Sequence, residues 1–202
     1  MKLFKKLGYY IVLLILTQTA QGCSDRQRGN EKTPTVTLVV NKEAAGSKTL
    51  STEDEEQFRS VLSKFKSVVK FKNKEAITAF FHFPLQTLPQ WTNDELKNLT
   101  VKPQYGLIKQ KEFSTYFDDI FTNDAIKLIP ASKEDDLSEI EKSTTENYYI
   151  TLQKLTDKGS ALYELQKQYT QDNGQETSFG FVFGKVGGTY KIISYYRPWP
   201  LK

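Results

Sequence analysis

His82 is the one imidazole in this 202-residue chain, and its chemistry is the first that could support catalysis. An imidazole titrates near neutral pH and serves as a general base when a second side chain orients it. Residue spacing predicts a helix from Lys74 to Phe81 that begins after the N-cap Asn73 and is stopped by Pro84. His82 would then lie at the helix C-terminus, where the helix dipole favours its protonated form.

Two interpretations of His82 stay open. It is either a general base in a pocket, helped by a tyrosine or an aspartate, or a helix-end histidine at the surface or in an interface. No second group can be tied to His82 from spacing, so the sequence predicts no catalytic residue.

The adjacent carboxylates Asp118 and Asp119 are a second candidate for acid-base chemistry. Consecutive positions on a helix point about 100° apart, so these two groups cannot converge on one substrate atom from the same face. We expect them to form a solvated edge.

Metal and phosphate chemistry find no support in the residue types. One histidine and one cysteine leave zinc without a ligand set, and the Asp172–Glu176 loop has too few carboxylates for a calcium loop. Residues 180–185, Gly-Phe-Val-Phe-Gly-Lys, are one residue short of a phosphate-binding loop and lie in an alternating strand pattern. The sequence therefore predicts no metal site and no cofactor.

The N-terminal residues have the three parts of a secretory signal. Three lysines lie within the first six residues, and an apolar run follows at residues 8–17. That run is too short to span a bilayer, which needs roughly 20 apolar residues. Small residues, Ala20 and Gly22, then stand third and first before Cys23, the only cysteine of the chain.

This stretch resembles the bacterial lipoprotein signal, although Ala20 stands where that signal has Leu and Gln21 is bulky. The resemblance implies that residues 1–22 are a signal peptide and that Cys23, the lipid-attachment residue, begins the mature chain with acyl chains on its sulfur and its amine. Two or three such chains, at about 0.8 kcal/mol per buried methylene, anchor a protein essentially permanently. An ordinary cleaved signal and an uncleaved anchor are the alternatives. We expect membrane lipid as a partner and the bacterial cell envelope as the location, with Ser24 favouring the outer membrane over the inner one.

Charge and cysteine content limit the function classes further. Removing the signal leaves 25 Lys and Arg against 24 Asp and Glu, so the formal charge falls from +4 to +1. Such a chain has no overall cationic field, which argues against nucleic acid as a partner. With Cys23 alone, no disulfide can form within one chain, so the core must stabilise the fold.

Residues 23–50 are predicted to be a flexible tether, interrupted by a possible short strand at Thr35–Val40. Residues 51–202 then form the folded domain. Thr52 and Glu55 match a capping box, and apolar residues recur at helical spacing, so we expect an amphipathic helix at residues 53–70. A further helix is predicted at Phe113–Phe121, followed by a short helical turn from Asn123 that holds Ile126 and Ile129.

After Glu141 the apolar period changes from about 3.6 to 2, which indicates strands. The predicted strands are centred on Tyr148–Gln153, on Ala161–Tyr169, on Phe179–Phe183 and on Tyr190–Tyr196. Asp172-Asn173-Gly174 and Gly187-Gly188 are hairpin turn signals. Helices followed by an antiparallel meander predict an α+β fold with helices on one sheet face, and Gly180 and Gly184 mark an expected bulge or bend.

Residues 53–197 resemble small envelope lipoproteins of the NTF2-like (cystatin-like α+β) superfamily found in Bacteroidetes-type bacteria. The residues that carry this resemblance are Phe83-Pro84-Leu85, the 108–121 segment and the closing strands up to Tyr196. The resemblance implies a curved sheet around the first helix with a pocket at its wide end, but an insertion at residues 86–106 lies where that mouth would be.

Fold alone does not decide function. Two main hypotheses follow: a non-enzymatic module that binds a small ligand or an envelope protein, and a lipid-anchored isomerase, dehydratase or hydrolase that uses His82. A purely structural envelope component is a third. The 24 Phe and Tyr residues could line a ligand site or simply pack the sheet.

Overall fold

A computed structural model describes residues 43–87, 94, 97–98, 102, 104–198 and 201, and only the backbone of residues 43–51. The predicted signal peptide, Cys23 and the predicted Thr35–Val40 strand lie outside the described residues.

Within the described residues, the longest helix comes first along the chain and the three longest strands come last. The helices are α1 (Glu43–Lys70), α2 (Lys74–Thr78), α3 (Phe113–Ile120), α4 (Asn123–Leu128) and α5 (Asn147–Gln153), with 3-10 turns at Gln110–Glu112 and Glu134–Asp136. The strands are β1 (Phe81–Gln86), β2 (Leu107–Ile108), β3 (Leu137–Ile140), β4 (Leu162–Thr170), β5 (Glu176–Val186) and β6 (Thr189–Tyr196). These strands form a six-stranded sheet in the order β2-β1-β6-β5-β4-β3.

Helix α1 begins ten residues before the predicted start at residue 53. Residues 43–50, predicted as part of the tether, have a helical backbone, and Thr52 and Glu55 lie inside the helix, so the predicted capping box is wrong. The predicted buried stripe is confirmed by Phe58, Leu62, Phe65 and Val69. Within the described residues, no helix is long and apolar enough to cross a membrane.

Helix α2 is shorter than predicted. Asn73 does cap it, because its side chain accepts a hydrogen bond from the Ala76 N–H at 2.9 Å. The helix ends at Thr78, however, and the segment that holds His82 is strand β1. Strand β1 pairs in parallel with β6, and the Ile192 N–H donates to the Phe80 carbonyl at 2.8 Å. Pairing with a distant strand therefore overrides the local helical pattern.

Helices α3 and α4 confirm the prediction for residues 113–129, with Phe113, Phe117 and Ile120 buried on one face. Thr122 caps α4 by accepting a hydrogen bond from the Ala125 N–H at 3.2 Å.

The predicted strand at residues 148–153 is wrong, because this segment is helix α5. Tyr148, Tyr149 and Leu152 are its buried residues, and their spacing of one and four positions is that of a helix. By contrast, strands β4, β5 and β6 and both hairpin turns are confirmed, with Gly174, Gly187 and Gly188 at positive φ.

The α+β class is confirmed, although the sheet is mixed because β1 and β6 run parallel. The expectation that the helices lie on one sheet face holds for α1 to α4 and not for α5, which packs on the other face. One face of the sheet packs against α1 to α4 in the main core. A smaller core on the opposite side packs beneath α5 and includes Ile140, Leu162, Val182, Ile193 and Tyr196.

The expected irregularity near Gly180 and Gly184 lies instead on β6. The register moves from Val182 opposite Ser194 to Phe183 opposite Ile192, which leaves Ile193 as the extra residue of a bulge. The two glycines instead allow a neighbouring side chain to pack closely against the β5 backbone. A Cβ at Gly180 would overlap the Tyr196 ring, and a Cβ at Gly184 would overlap the Thr156 side chain.

Candidate functional site

Aromatic rings fill the space between the helices and the middle of the sheet. Phe65 of α1 contacts Phe181 and Phe183 of β5 at ring-centroid distances of 5.7 and 6.0 Å. Phe121 stacks on Phe181 at 6.0 Å, and Phe81 of β1 packs on Phe113 of α3 at 4.7 Å. Most of the aromatic residues counted in the sequence therefore pack in the main core.

One of the cavities at the surface of the described residues lies at the β4–β5 hairpin. A cavity of about 470 Å³ opens there, and it is lined by Gln168, Tyr169, Thr170, Glu176, Thr177, Ser178 and Pro198. An inner cavity of about 60 Å³ shares Tyr169, Thr177 and Ser178 and continues inward to Tyr195 and Arg197. We call the two cavities together the hairpin groove.

Local strand geometry positions these side chains. Gln168 lies directly opposite Ser178, and Tyr169 lies opposite Thr177, in the antiparallel β4–β5 register. Because successive strand residues alternate between faces, Tyr169 and Thr177 turn towards the helices while Gln168 and Ser178 turn away. The hairpin thus presents hydroxyl and amide groups around its open end.

Arg197 supplies the positive charge at the inner end of the hairpin groove. Its guanidinium forms a 3.0 Å ion pair with the Asp119 carboxylate and donates to the Asp119 carbonyl at 2.9 Å. Burial raises the pKa of Tyr195 by more than the nearby Arg197 charge lowers it, so the pKa lies above its ordinary value. Burial also raises the pKa of Tyr169, so both hydroxyls are neutral hydrogen-bonding groups at neutral pH.

The two adjacent carboxylates face different surroundings, as their helical spacing predicts. Asp118 is exposed, whereas Asp119 is half-buried and pairs with Arg197. The expectation of a solvated edge therefore holds for Asp118 and not for Asp119.

His82 lies on β1 and not at a helix terminus, so the predicted dipole effect on its charge is wrong. The ring is half-buried, and no described residue forms a hydrogen bond or an ion pair with it. None of the cavities described in this section is lined by His82. The described structure brings no acid-base partner to this residue.

A buried tyrosine–carboxylate cluster lies on the opposite side of the sheet. The Tyr149 and Tyr196 hydroxyls donate to the same oxygen, Glu164 Oε1, at 3.1 and 2.9 Å. Tyr148 and Ser194 share a hydrogen bond of 2.8 Å, and burial raises the pKa of all three tyrosines. These bonds fix α5 to the sheet, so Tyr148, Tyr149 and Tyr196 serve packing here.

Among the described residues, no group of three histidine, cysteine or acidic side chains is placed to hold a metal ion.

Sequence reasoning missed the residues that line the hairpin groove. They match no catalytic or binding motif, and the one available signal was the run of hydroxyl and amide side chains that flanks the Asn173-Gly174 turn. The insertion at residues 86–106 lies largely outside the described residues, but its ends meet where the Thr87 N–H donates to the Gly106 carbonyl at 3.1 Å.

Comparison with protein-family models finds no match, and comparison with curated protein sequences finds none either. Among solved structures, the chain is similar to an NTF2-like protein with a cystatin-like fold from Novosphingobium aromaticivorans, at 7% identity and a TM-score of 0.39, over 79% of this chain and 90% of that one.

Two further neighbours are described as association domains of calcium/calmodulin-dependent protein kinase II. The Xanthomonas campestris protein described in this way is 15% identical with a TM-score of 0.32, over 83% of this chain and 95% of that one. The C. elegans domain is 13% identical with a TM-score of 0.33, over 73% of this chain and 96% of that one. The α+β class rests on the chain's own helices and sheet.

Proposed function

We propose that this chain is a lipid-anchored protein of the bacterial cell envelope whose NTF2-like α+β domain binds a small polar ligand without chemical conversion. The sequence resemblance at Cys23 supports the anchor. The hairpin groove supports ligand binding. In this proposal the acyl chains keep the domain at the membrane surface while the groove stays open to solutes.

The hairpin groove is the observation that carries the binding proposal. Its outer cavity of about 470 Å³ falls within the range of roughly 300–1,000 Å³ that is typical of small-molecule sites. Hydroxyl and amide groups such as Thr177, Ser178 and Gln168 both donate and accept hydrogen bonds. Such a lining suits a neutral or weakly charged polar molecule, for example one with several hydroxyl groups.

Mass spectrometry of small molecules that co-purify with the full chain tests the binding proposal. Ser178→Trp should abolish a reproducible co-purifying molecule, because the indole would fill the groove from β5. Thr189→Trp is the matched control, because Thr189 is exposed at the opposite end of β5 and β6. Equal recovery from both variants, or recovery of no small molecule from the wild type, would contradict ligand binding in this groove and favour a protein partner.

Incorporation of labelled fatty acid tests the anchor separately. We expect the wild-type protein to incorporate the label and the Cys23→Ala protein to lose both the label and its partition into membranes. An unlabelled wild type, or a Cys23→Ala protein that still matures and sediments with membranes, would refute the anchor while leaving the groove untouched.

A further inference from the structure

A second cavity lies between α1 and the edge strand β3, away from the hairpin groove. Its volume is about 120 Å³, and its lining is Glu55, Phe58, Arg59, Glu134, Leu137, Ser138, Glu139 and Tyr163. A neighbouring cavity of about 200 Å³ shares Arg59, Glu134 and Leu137 with it and extends towards Lys66. We call the first of these the acidic cavity, because three carboxylates and one guanidinium line it.

Tyr163 is the residue that gives the acidic cavity its chemistry. The side chain is 3% exposed, and its hydroxyl is buried without a hydrogen-bond partner among the described residues. Its ring stacks face to face on Phe58 with centroids 4.3 Å apart and planes 6° apart. A buried polar group without a partner costs about 1–3 kcal/mol, so such a group needs a compensating role.

The charges around this hydroxyl favour a cation. Burial raises the pKa of Tyr163, and the charges of Glu139, Glu55 and Asp54 raise it further while Arg59 lowers it. Since Glu139, Glu55 and Arg59 all line the acidic cavity, the hydroxyl lies close to the charges of that cavity. The electrostatic balance at this point is negative.

Glu139 is the carboxylate available to a ligand. Arg59 already pairs with Glu55 at 2.8 Å and with Glu134 at 2.9 Å. Glu139 is exposed on β3, directly opposite Tyr163 in the β3–β4 register, and no described residue forms an ion pair with it. The acidic cavity offers a hydroxyl oxygen and carboxylates, which accept hydrogen bonds and therefore suit an organic cation with its own N–H donors.

We propose that the acidic cavity binds an alkylammonium group, which donates one hydrogen bond to the Tyr163 hydroxyl oxygen and pairs with the Glu139 carboxylate beside the Phe58 ring. The volume of about 120 Å³ fits such a head group and not a large molecule. This site is additional to the proposed function and independent of the hairpin groove.

Titration of the full chain in detergent with pentylammonium chloride, followed by calorimetry, tests the proposal. We expect saturable millimolar binding, and no binding of the neutral isostere 1-pentanol. Tyr163→Phe and Glu139→Gln should each weaken binding about five- to tenfold, the loss expected for one hydrogen bond or one exposed charge pair. Tyr116→Phe and Glu141→Gln are matched controls that should bind like the wild type, because neither residue lines the cavity.

Thermal unfolding of each variant shows whether weaker binding reflects a lost contact or a destabilised fold. Removing an unpaired buried hydroxyl should leave the thermal unfolding of Tyr163→Phe unchanged or raise it, so weaker binding would not reflect unfolding. Lysine amide serves as a second probe. Tighter binding of lysine amide than of pentylammonium would support a lysine side chain of a partner as the natural source, and the reverse order would support a free amine. Absence of saturable binding, equal binding of 1-pentanol, or wild-type affinity in Tyr163→Phe would overturn the proposal.

Discussion

Gly180→Ala should destabilise this fold strongly, because Gly180 lies directly opposite Tyr196 in the β5–β6 register. An alanine Cβ at position 180 would overlap the Cζ, Cε1 and hydroxyl atoms of the Tyr196 ring. The ring cannot move aside freely, because its hydroxyl donates to the buried Glu164 carboxylate at 2.9 Å. Any displacement of the ring therefore breaks a hydrogen bond to a buried charge.

The expected cost follows from these two contributions. Overpacking of a tight site costs about 1–3 kcal/mol. Loss of a hydrogen bond to a charged group adds about 1.5–3 kcal/mol, although Tyr149 still donates to the same Glu164 oxygen. We therefore expect Gly180→Ala to lower the free energy of unfolding by about 3–5 kcal/mol, a large share of the roughly 5–15 kcal/mol typical of native proteins.

Urea unfolding followed by tyrosine fluorescence or circular dichroism measures this change. Gly174→Ala is the control for a glycine substitution without side-chain overlap, because Gly174 has φ +80° and open space around its Cβ position, and the left-handed backbone should cost about 1–2 kcal/mol. In a Tyr196→Ala background the overlap is absent, so Gly180→Ala should cost less than about 1 kcal/mol there. The same cost in both backgrounds would refute the reasoning, because it would show that the ring is not what requires the glycine.

Two further predictions concern charges that join distant segments. Asp54→Ala should destabilise the protein by about 3 kcal/mol in urea unfolding, because it leaves the Lys185 ammonium, 3.2 Å away, and the Ala161 N–H without their buried acceptor; a change below about 1 kcal/mol would contradict this. Burial raises the pKa of Asp136, but a backbone N–H and the Lys167 ammonium lower it by more, so its folded pKa lies below the ordinary 3.8. Its contribution is present above the unfolded pKa and is lost as pH falls through the folded pKa, so Asp136→Asn should be less stable than wild type at about pH 7 and should show a smaller loss between there and about pH 3. Parallel pH profiles for the two proteins would count against this assignment.

Local chemistry made the three long strands predictable. Glycines at positive φ form the turns at Asn173-Gly174 and Gly187-Gly188, and such turns set hairpin register without distant contacts. Strand β1 was missed although Phe81, Phe83 and Leu85 alternate as strand residues do, because its partner β6 lies about 110 residues further along the chain. Pairing at that separation leaves no local signal.

Helix α5 was missed for a different reason, because two periodicities compete in the same residues. Tyr148, Ile150 and Leu152 alternate as a strand would, while Tyr148 and Leu152 also stand one helical turn apart. The structure has the helix, in which the Tyr149 hydroxyl donates to the buried Glu164 carboxylate at 3.1 Å.

One inserted residue on β6 determines on which face of the sheet each of its last two tyrosines lies. Regular alternation would place Ser194 and Tyr196 on the same face as Ile192, but the bulge at Ile193 moves both to the opposite face. Tyr195 consequently faces the hairpin groove beside Arg197, and Tyr196 faces Glu164. The bulge is coupled to the glycine at position 180, because the displaced Tyr196 ring lies against that glycine. One inserted residue thus places Tyr196 in the packed cluster on one side of the sheet and Tyr195 at the hairpin groove on the other.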